Sequence, residues 1–266
     1  MKKSDYNKIC FCGIGGSGAP GEIVRALNLK KPVLVVREKL PASVNSKTLC
    51  FIVSYSGNTR ETINLYNAAK KKKAKIVIIT SGGKLAKKKE KVIQIPTGYM
   101  PRDAVHLLLQ PALDVLGIKT RDILKIKNSI SKWKAKRFAK KLKNKVPVVY
   151  ASSEQYKVVS DRWKNQFNED AKIFAHSGYF PEIAHNEIEE RLGDKRKAIL
   201  LLDKETKQIR KAKKFLKPVI IKLKGKSVLE KILYGIFFGD LVAFYLAGYK
   251  KVDYKLTKRI DWLKKK

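Results

Sequence analysis

The chain has 266 residues, 44% of them hydrophobic, which is long and apolar enough for one large or two small domains and excludes a globally disordered chain. Sixty Lys and Arg stand against 23 Asp and Glu, a formal net charge of +37 carried mostly by Lys. Such a charge raises a nucleic-acid-associated reading. The Lys-rich runs at 70–73, 87–89 and 140–145 nevertheless read as solvated helix faces, because they carry no interleaved aromatics and no helix-turn-helix, zinc-finger or RNA-recognition signature. No specific nucleic-acid partner is expected.

In chain order, 9–13 reads as a strand that runs into a glycine loop and a helix at 19–27. Strands follow at 33–36 and 48–54, then a polar loop, a helix at 59–69, a strand at 75–80 ending at Ser81-Gly82-Gly83, and a short strand at 92–95. A helix after Pro101 runs to about 116. The basic stretch 120–145 has helical character and no strand signal. Alternation resumes with a strand at 148–151 opened by Pro147, a helix at 152–167, strands at 198–202 and 219–222, a long helix at 227–247 and a charged terminal helix at 255–266. This is βαβ grammar and predicts an α/β fold with doubly wound parallel sheets. The expected division is a first half at 1–118, a helical connector at 119–145, a second half at 146–248 and a terminal helix within 249–266.

The cysteines, Cys10, Cys12 and Cys50, are odd in number and form no CxxC pair. Cys10 and Cys12 alternate on an apolar run and are expected to share one strand face as buried, reduced thiols, with no metal site. That usage fits a cytoplasmic compartment. The start, Met1-Lys2-Lys3, is basic, but the apolar stretch behind it is short and enters the glycine loop at once, so a signal peptide is not expected. No uncharged apolar run reaches membrane-spanning length, so no membrane partner is expected.

Gly13-Ile14-Gly15-Gly16-Ser17-Gly18 lies between a strand and a helix. Glycines let the backbone approach a ligand, and a helix N-terminus offers free N–H groups to an anion. The same residues match GxGxxG literally, so a dinucleotide site stays open at this point. Against it, Ser17 sits inside the loop and no acid ends the second strand; Glu38, after Arg37, is the nearest. The stretch Ser54-Tyr55-Ser56-Gly57-Asn58-Thr59-Arg60-Glu61-Thr62 is more telling. Ser54, Ser56 and Thr59 crowd hydroxyls into one strand-to-helix turn, where one would suffice for a cap, and together with backbone N–H groups they make a phosphate cradle.

This stretch resembles the SYSGNTxET signature of SIS (sugar isomerase) domains, and Ser81-Gly82-Gly83 resembles their TSGG loop. Later segments, Arg162-Trp163-Lys164-Asn165-Gln166-Phe167-Asn168-Glu169 and Pro181-Glu182-Ile183-Ala184-His185-Asn186-Glu187-Ile188-Glu189, resemble the RWKxQFNEN and PExxHNEI segments of the bifunctional phosphoglucose/phosphomannose isomerases, with Asp170 where the last Asn would stand. The resemblance spans most of the chain with its motifs in order. It implies two SIS-type subdomains with a C-terminal helix, no cofactor and no metal, a hexose 6-phosphate substrate and a homodimer.

The resemblance also implies site residues. Gly15, Gly16 and Ser17 lie beside the sugar, and Ser54, Ser56 and Thr59 hold its phosphate. Glu187, the Glu of HNE, is the catalytic base that moves a proton between C1 and C2 through a cis-enediol. Arg102, after Pro101, stabilises the enediolate. Thr257 and Lys264, two turns apart on the terminal helix, complete the site, Thr257 leaving room for either C2 epimer; Leu263 between them is expected to pack. Glu169, Glu182 and His106 read as structural.

The family opens the sugar ring with a His in a stretch like RDxxEH. Here Leu202-Asp203-Lys204-Glu205-Thr206-Lys207 has none. Lys207 and His185 are the candidates for ring opening. That missing His keeps a non-catalytic phosphosugar sensor as the alternative to the isomerase.

Overall fold

The computed structural model describes residues 5–120, 122–190, 193 and 195–264. The apolar runs become strands, and the glycine and hydroxyl loops fall at their carboxyl ends. The chain divides into two compact units, Met1–Ile123 and Leu124–Lys266.

In the first unit, β1 (Lys8–Cys12), β2 (Val33–Val36), β3 (Thr48–Val53), β4 (Lys75–Thr80) and β5 (Lys91–Gln94) form one parallel sheet in the order β2-β1-β3-β4-β5. β3 sits at its centre with every residue buried, as a strand covered on both faces must be. α1 (Ala19–Ala26), α2 (Arg60–Lys71) and the single turn α3 (Gly83–Ala86) connect strands, and α4 (Val105–Leu116) follows β5 and packs on α1 and β4. Cys10, Cys12 and Cys50 do share one buried face, packed with Leu65, Tyr66 and Ala69 of α2. The Cys10 and Cys12 sulfurs are 3.8 Å apart. The hydrogen bond to Cys10, and then burial, push the Cys12 and Cys50 thiols up.

In the second unit, β6 (Val146–Ala151), β7 (His176–Tyr179), β8 (Arg196–Leu202) and β9 (Val219–Lys222) form a parallel sheet in the order β7-β6-β8-β9. The helices are α5 (Ile123–Asn128), which straddles the boundary of the units, α6 (Lys132–Leu142), α7 (Lys157–Glu169), α8 (Lys207–Leu216), α9 (Val228–Tyr249) and α10 (Lys258–Lys264). The stretch expected as a connector thus holds α6, whose stripe Ala135, Phe138, Ala139 and Leu142 is buried and packs along α9. α9 is long and apolar enough to cross a membrane, but 61% of its most apolar window is buried. Its packing against α6 and α7 marks it as the core helix of this unit.

Several expectations are corrected. β7 was not foreseen, because His-Ser-Gly-Tyr has no apolar run and lies at a sheet edge. α8 was not foreseen either, although Ile209, Ala212 and Leu216 give it a buried stripe. The helix expected from 152 begins as a 3₁₀ turn, Glu154–Tyr156. Pro147 is the second residue of β6, where it faces Lys197 of β8 but precedes the pairing with β7. Thr257 stands one residue before α10 rather than on it, and its hydroxyl donates to Asp261 Oδ2 (3.0 Å). Leu263 does not pack: it is 74% exposed, on a helix too short to bury a full stripe. The Lys264 side chain, Met1-Lys2-Lys3, Lys265 and Lys266 lie outside the described residues.

Candidate active site

At the carboxyl edge of the first sheet, four sequence-distant loops meet around the backbone of Tyr55. Its N–H donates to Ser17 Oγ (3.1 Å), which ties in the glycine loop. Its carbonyl accepts from Ser81 N (2.9 Å) and Ser81 Oγ (2.6 Å), which ties in the TSGG-like loop. Its phenol accepts from Tyr99 N (2.8 Å), just before Pro101. Gly16 closes the ring: a Cβ there would lie 2.9 Å from the Pro101 carbonyl oxygen and 3.1 Å from Arg102 Cα. Gly16, Ser17, Ser54 and Arg102 are thus drawn together, with Arg102 buried at 3% exposure. Gly15 is exposed, with φ +58° and open space above it. Tyr55 is the residue that sequence reasoning missed here, although it stands inside the motif.

The hydroxyls of the cradle are not equivalent. Ser54 is buried; its Oγ donates to Thr59 Oγ1 (3.2 Å) and accepts from Gly57 N (3.1 Å). Thr59 is the N-cap residue of α2, but its side chain makes no capping bond. The first-turn N–H groups of the twelve-residue α2 therefore keep their donors for an anion. Ser56 is exposed, its Oγ accepting from Asn58 N (3.3 Å). Geometrically, Ser56, Thr59 and the α2 N-terminus form the open face, and Ser54 buttresses it. A dinucleotide site gains no support: Arg37 follows β2 and pairs with Glu22 of α1 (2.6 Å), so a cation stands where a ribose-binding acid belongs.

In the second unit, Glu187 opens a 3₁₀ turn, Glu187–Glu189, capped by Asn186, whose side-chain oxygen accepts from Glu187 N (2.5 Å). The turn is held from below, since Ile188 packs on the core formed with Ile209, Ala212 and Leu216 of α8. The Glu187 carboxylate reaches the edge strand, where its Oε2 lies 2.8 Å from His176 Nε2. His185 and Lys207 are exposed, Lys207 at the first position of α8. The segment around Arg162 is packed within the unit. Arg162 makes a two-pronged pair with Asp240 of α9 (3.2 and 3.3 Å), Trp163 Nε1 donates to the Gly235 carbonyl (2.8 Å), and Gln166 Nε2 donates to Asp170 (3.2 Å). Among the described residues no cluster of three or more His, Cys, Asp or Glu could hold a metal ion.

Residues 4–104 match the SIS domain, and residues 131–266 match the bacterial phospho-glucose isomerase C-terminal SIS domain. The fold agrees. A glucose-6-phosphate isomerase like protein from Thermus thermophilus superposes with a TM-score of 0.69 at 16% identity, over 99% of this chain and 88% of that one. The protein is therefore a double-SIS protein, with two parallel sheets of one architectural class. The chain is 34% identical over 283 residues to the bifunctional phosphoglucose/phosphomannose isomerase of Thermoplasma volcanium, covering 100% of this chain and 93% of that one. It is 36% identical over 308 residues to the enzyme of the same name from Caldicellulosiruptor bescii, covering 100% and 91%. It belongs to the bifunctional phosphoglucose/phosphomannose isomerase family.

Proposed function

We propose that the protein interconverts glucose 6-phosphate and mannose 6-phosphate with fructose 6-phosphate through a cis-enediol. Full-length similarity to enzymes of that name supports the reaction. The observation that carries the mechanism is the half-buried carboxylate of Glu187, held at one oxygen. Aldose–ketose interconversion moves one proton between C2 and C1 and another between the two oxygens. A single carboxylate that takes the carbon-bound proton and returns it to the neighbouring carbon needs no second base.

In this reading the phosphate is held by Ser56, Thr59 and the α2 N-terminus, with Ser54 orienting Thr59 and the Gly15–Gly16–Ser17 loop beside the sugar. Arg102 offers fixed charge to the enediolate. Thr257 and Lys264 act on the sugar from the terminal segment, Thr257 admitting both C2 epimers. Ring opening falls to Lys207 or His185, or proceeds spontaneously. The protein acts as a homodimer in the cytoplasm, the latter supported by its buried free thiols.

The test follows purified protein acting on fructose 6-phosphate, with glucose 6-phosphate and mannose 6-phosphate measured separately, beside Glu187→Gln. Both products are expected, with kcat falling by roughly 10²–10⁴ in the variant. Sugar-phosphate binding without turnover in the unmodified protein would replace the isomerase by a sensor.

A further inference from the structure

Glu187 is held by strands β6 and β7, which lie outside its own sequence motif. In the register of these strands Tyr150 faces Gly178, and His176 lies two residues before Gly178 on the same face. A Cβ at Gly178 would stand 3.2 Å from Glu187 Oε1, 3.1 Å from Tyr150 Cδ1 and 2.6 Å from Ile183 Cγ2. The bare Cα of Gly178 is what lets the carboxylate settle onto the sheet edge. Tyr150 walls this niche. It is 1% exposed. Burial pushes the Tyr150 phenol up, and the Glu187 carboxylate adds to that. The His176 ring meets the Tyr150 ring edge-on at 6.4 Å, so packing as well as the 2.8 Å contact to Glu187 orients it.

We propose that His176 is a positioning residue for Glu187: its Nε2–H donates to Oε2 and locks the carboxylate in one rotamer. This rests on Glu187 being the base. An ionised carboxylate only accepts hydrogen bonds, so the contacting imidazole nitrogen must bear the hydrogen. A base that serves C1 and C2 in turn must stay within reach of both carbons while the enediol forms. Misplacement by about 1 Å costs on the order of 10²-fold in rate. A glutamate has three side-chain torsions, and a partner at one oxygen removes that freedom.

The experiment measures kcat, KM and thermal midpoint for His176→Phe, His176→Gln, His176→Asn, Glu187→Gln and the Glu187→Gln/His176→Phe double variant, with fructose 6-phosphate. His176→Phe is expected to lower kcat by roughly 10- to 100-fold while leaving KM within about threefold, the pattern of an interaction used in the transition state. His176→Gln, whose amide N–H stands near the place of Nε2, restores most of that loss, and the shorter Asn does not. The double variant is no slower than Glu187→Gln, because both changes act through one group. The proposal is overturned if His176→Phe keeps a kcat within about twofold of the unmodified enzyme, if Gln and Asn are equally slow or equally fast, or if the loss lies only in KM or thermal midpoint. Should His176→Phe fail to fold, the Gln–Asn contrast decides. An active Glu187→Gln removes the base assignment and this proposal with it. An inactive Glu187→Gln beside a fast His176→Phe removes the proposal alone.

Discussion

Tyr55 spends its backbone N–H, its carbonyl and its phenol on three different loops. The proposed phosphate cradle therefore behaves as one rigid object, and its glycines are part of the fit. Gly57 has φ +65° and packs against the Gly82 carbonyl, where a Cβ would overlap it. Gly57→Ala thus meets both a left-handed backbone and a collision, and is expected to cost about 1–3 kcal/mol and to raise KM more than it lowers kcat. Thermal unfolding and steady-state kinetics check this. The hydroxyl spacing of the cradle was legible in the sequence because a strand-to-helix turn is local. The division of labour between buried Ser54 and open Ser56 was not, since burial depends on what the rest of the chain lays over each hydroxyl.

At the scale of elements, the Arg162 segment carries a family resemblance and is buried: Arg162, Trp163, Gln166 and Phe167 lie inside on α7. Motif strength in a sequence does not separate a residue that touches substrate from one that fixes a helix. A second device joins the loop after β8 to α9. Asp203 accepts from Tyr156 OH (2.8 Å) and Lys231 Nζ (2.6 Å). Burial opposes its ionisation, but the Lys231 ammonium and the Tyr156 hydroxyl together hold the Asp203 carboxyl below its ordinary value. A folded-state value below the unfolded one, about 3.9 for Asp, stabilises the fold above that pH. The benefit is lost as pH falls through the lower, folded value. Lys231→Met is expected to lower the thermal midpoint at neutral pH by about 2–4 °C for roughly 1 kcal/mol, and the difference should shrink in acid. Melting curves across pH read this directly. α8 and β7 escaped the sequence for different reasons. The Lys-rich face of α8 masked a thin apolar stripe, and β7 gains its stability from pairing rather than from its own side chains.

At the scale of the molecule, the net charge of +37 remains the feature least tied to the chemistry. Its field favours encounter with a sugar phosphate, which carries negative charge, without selecting one. It also opposes association of like chains, so the proposed homodimer makes a demanding prediction. Sedimentation equilibrium at physiological salt should return twice the mass of the chain, and repulsion should weaken the dimer as salt is removed. A monomer at all salt concentrations would place the whole reaction within one chain.

The alternation of short apolar runs with glycine and hydroxyl turns was enough to read two parallel-sheet halves and the strand-to-helix hydroxyl turn, because strand propensity, turn chemistry and helix N-termini act over a few residues. Glu187 was reached only through the resemblance of its segment, Pro181 to Glu189, to the isomerase family. Only the tertiary structure set His176 and Tyr150 around it. Their meeting depends on β6 and β7 pairing side by side, with Gly178 leaving space for the carboxylate. No short-range pattern encodes that pairing, for the strand that brings the imidazole is an edge strand without an apolar signature and is stabilised by the sheet it joins.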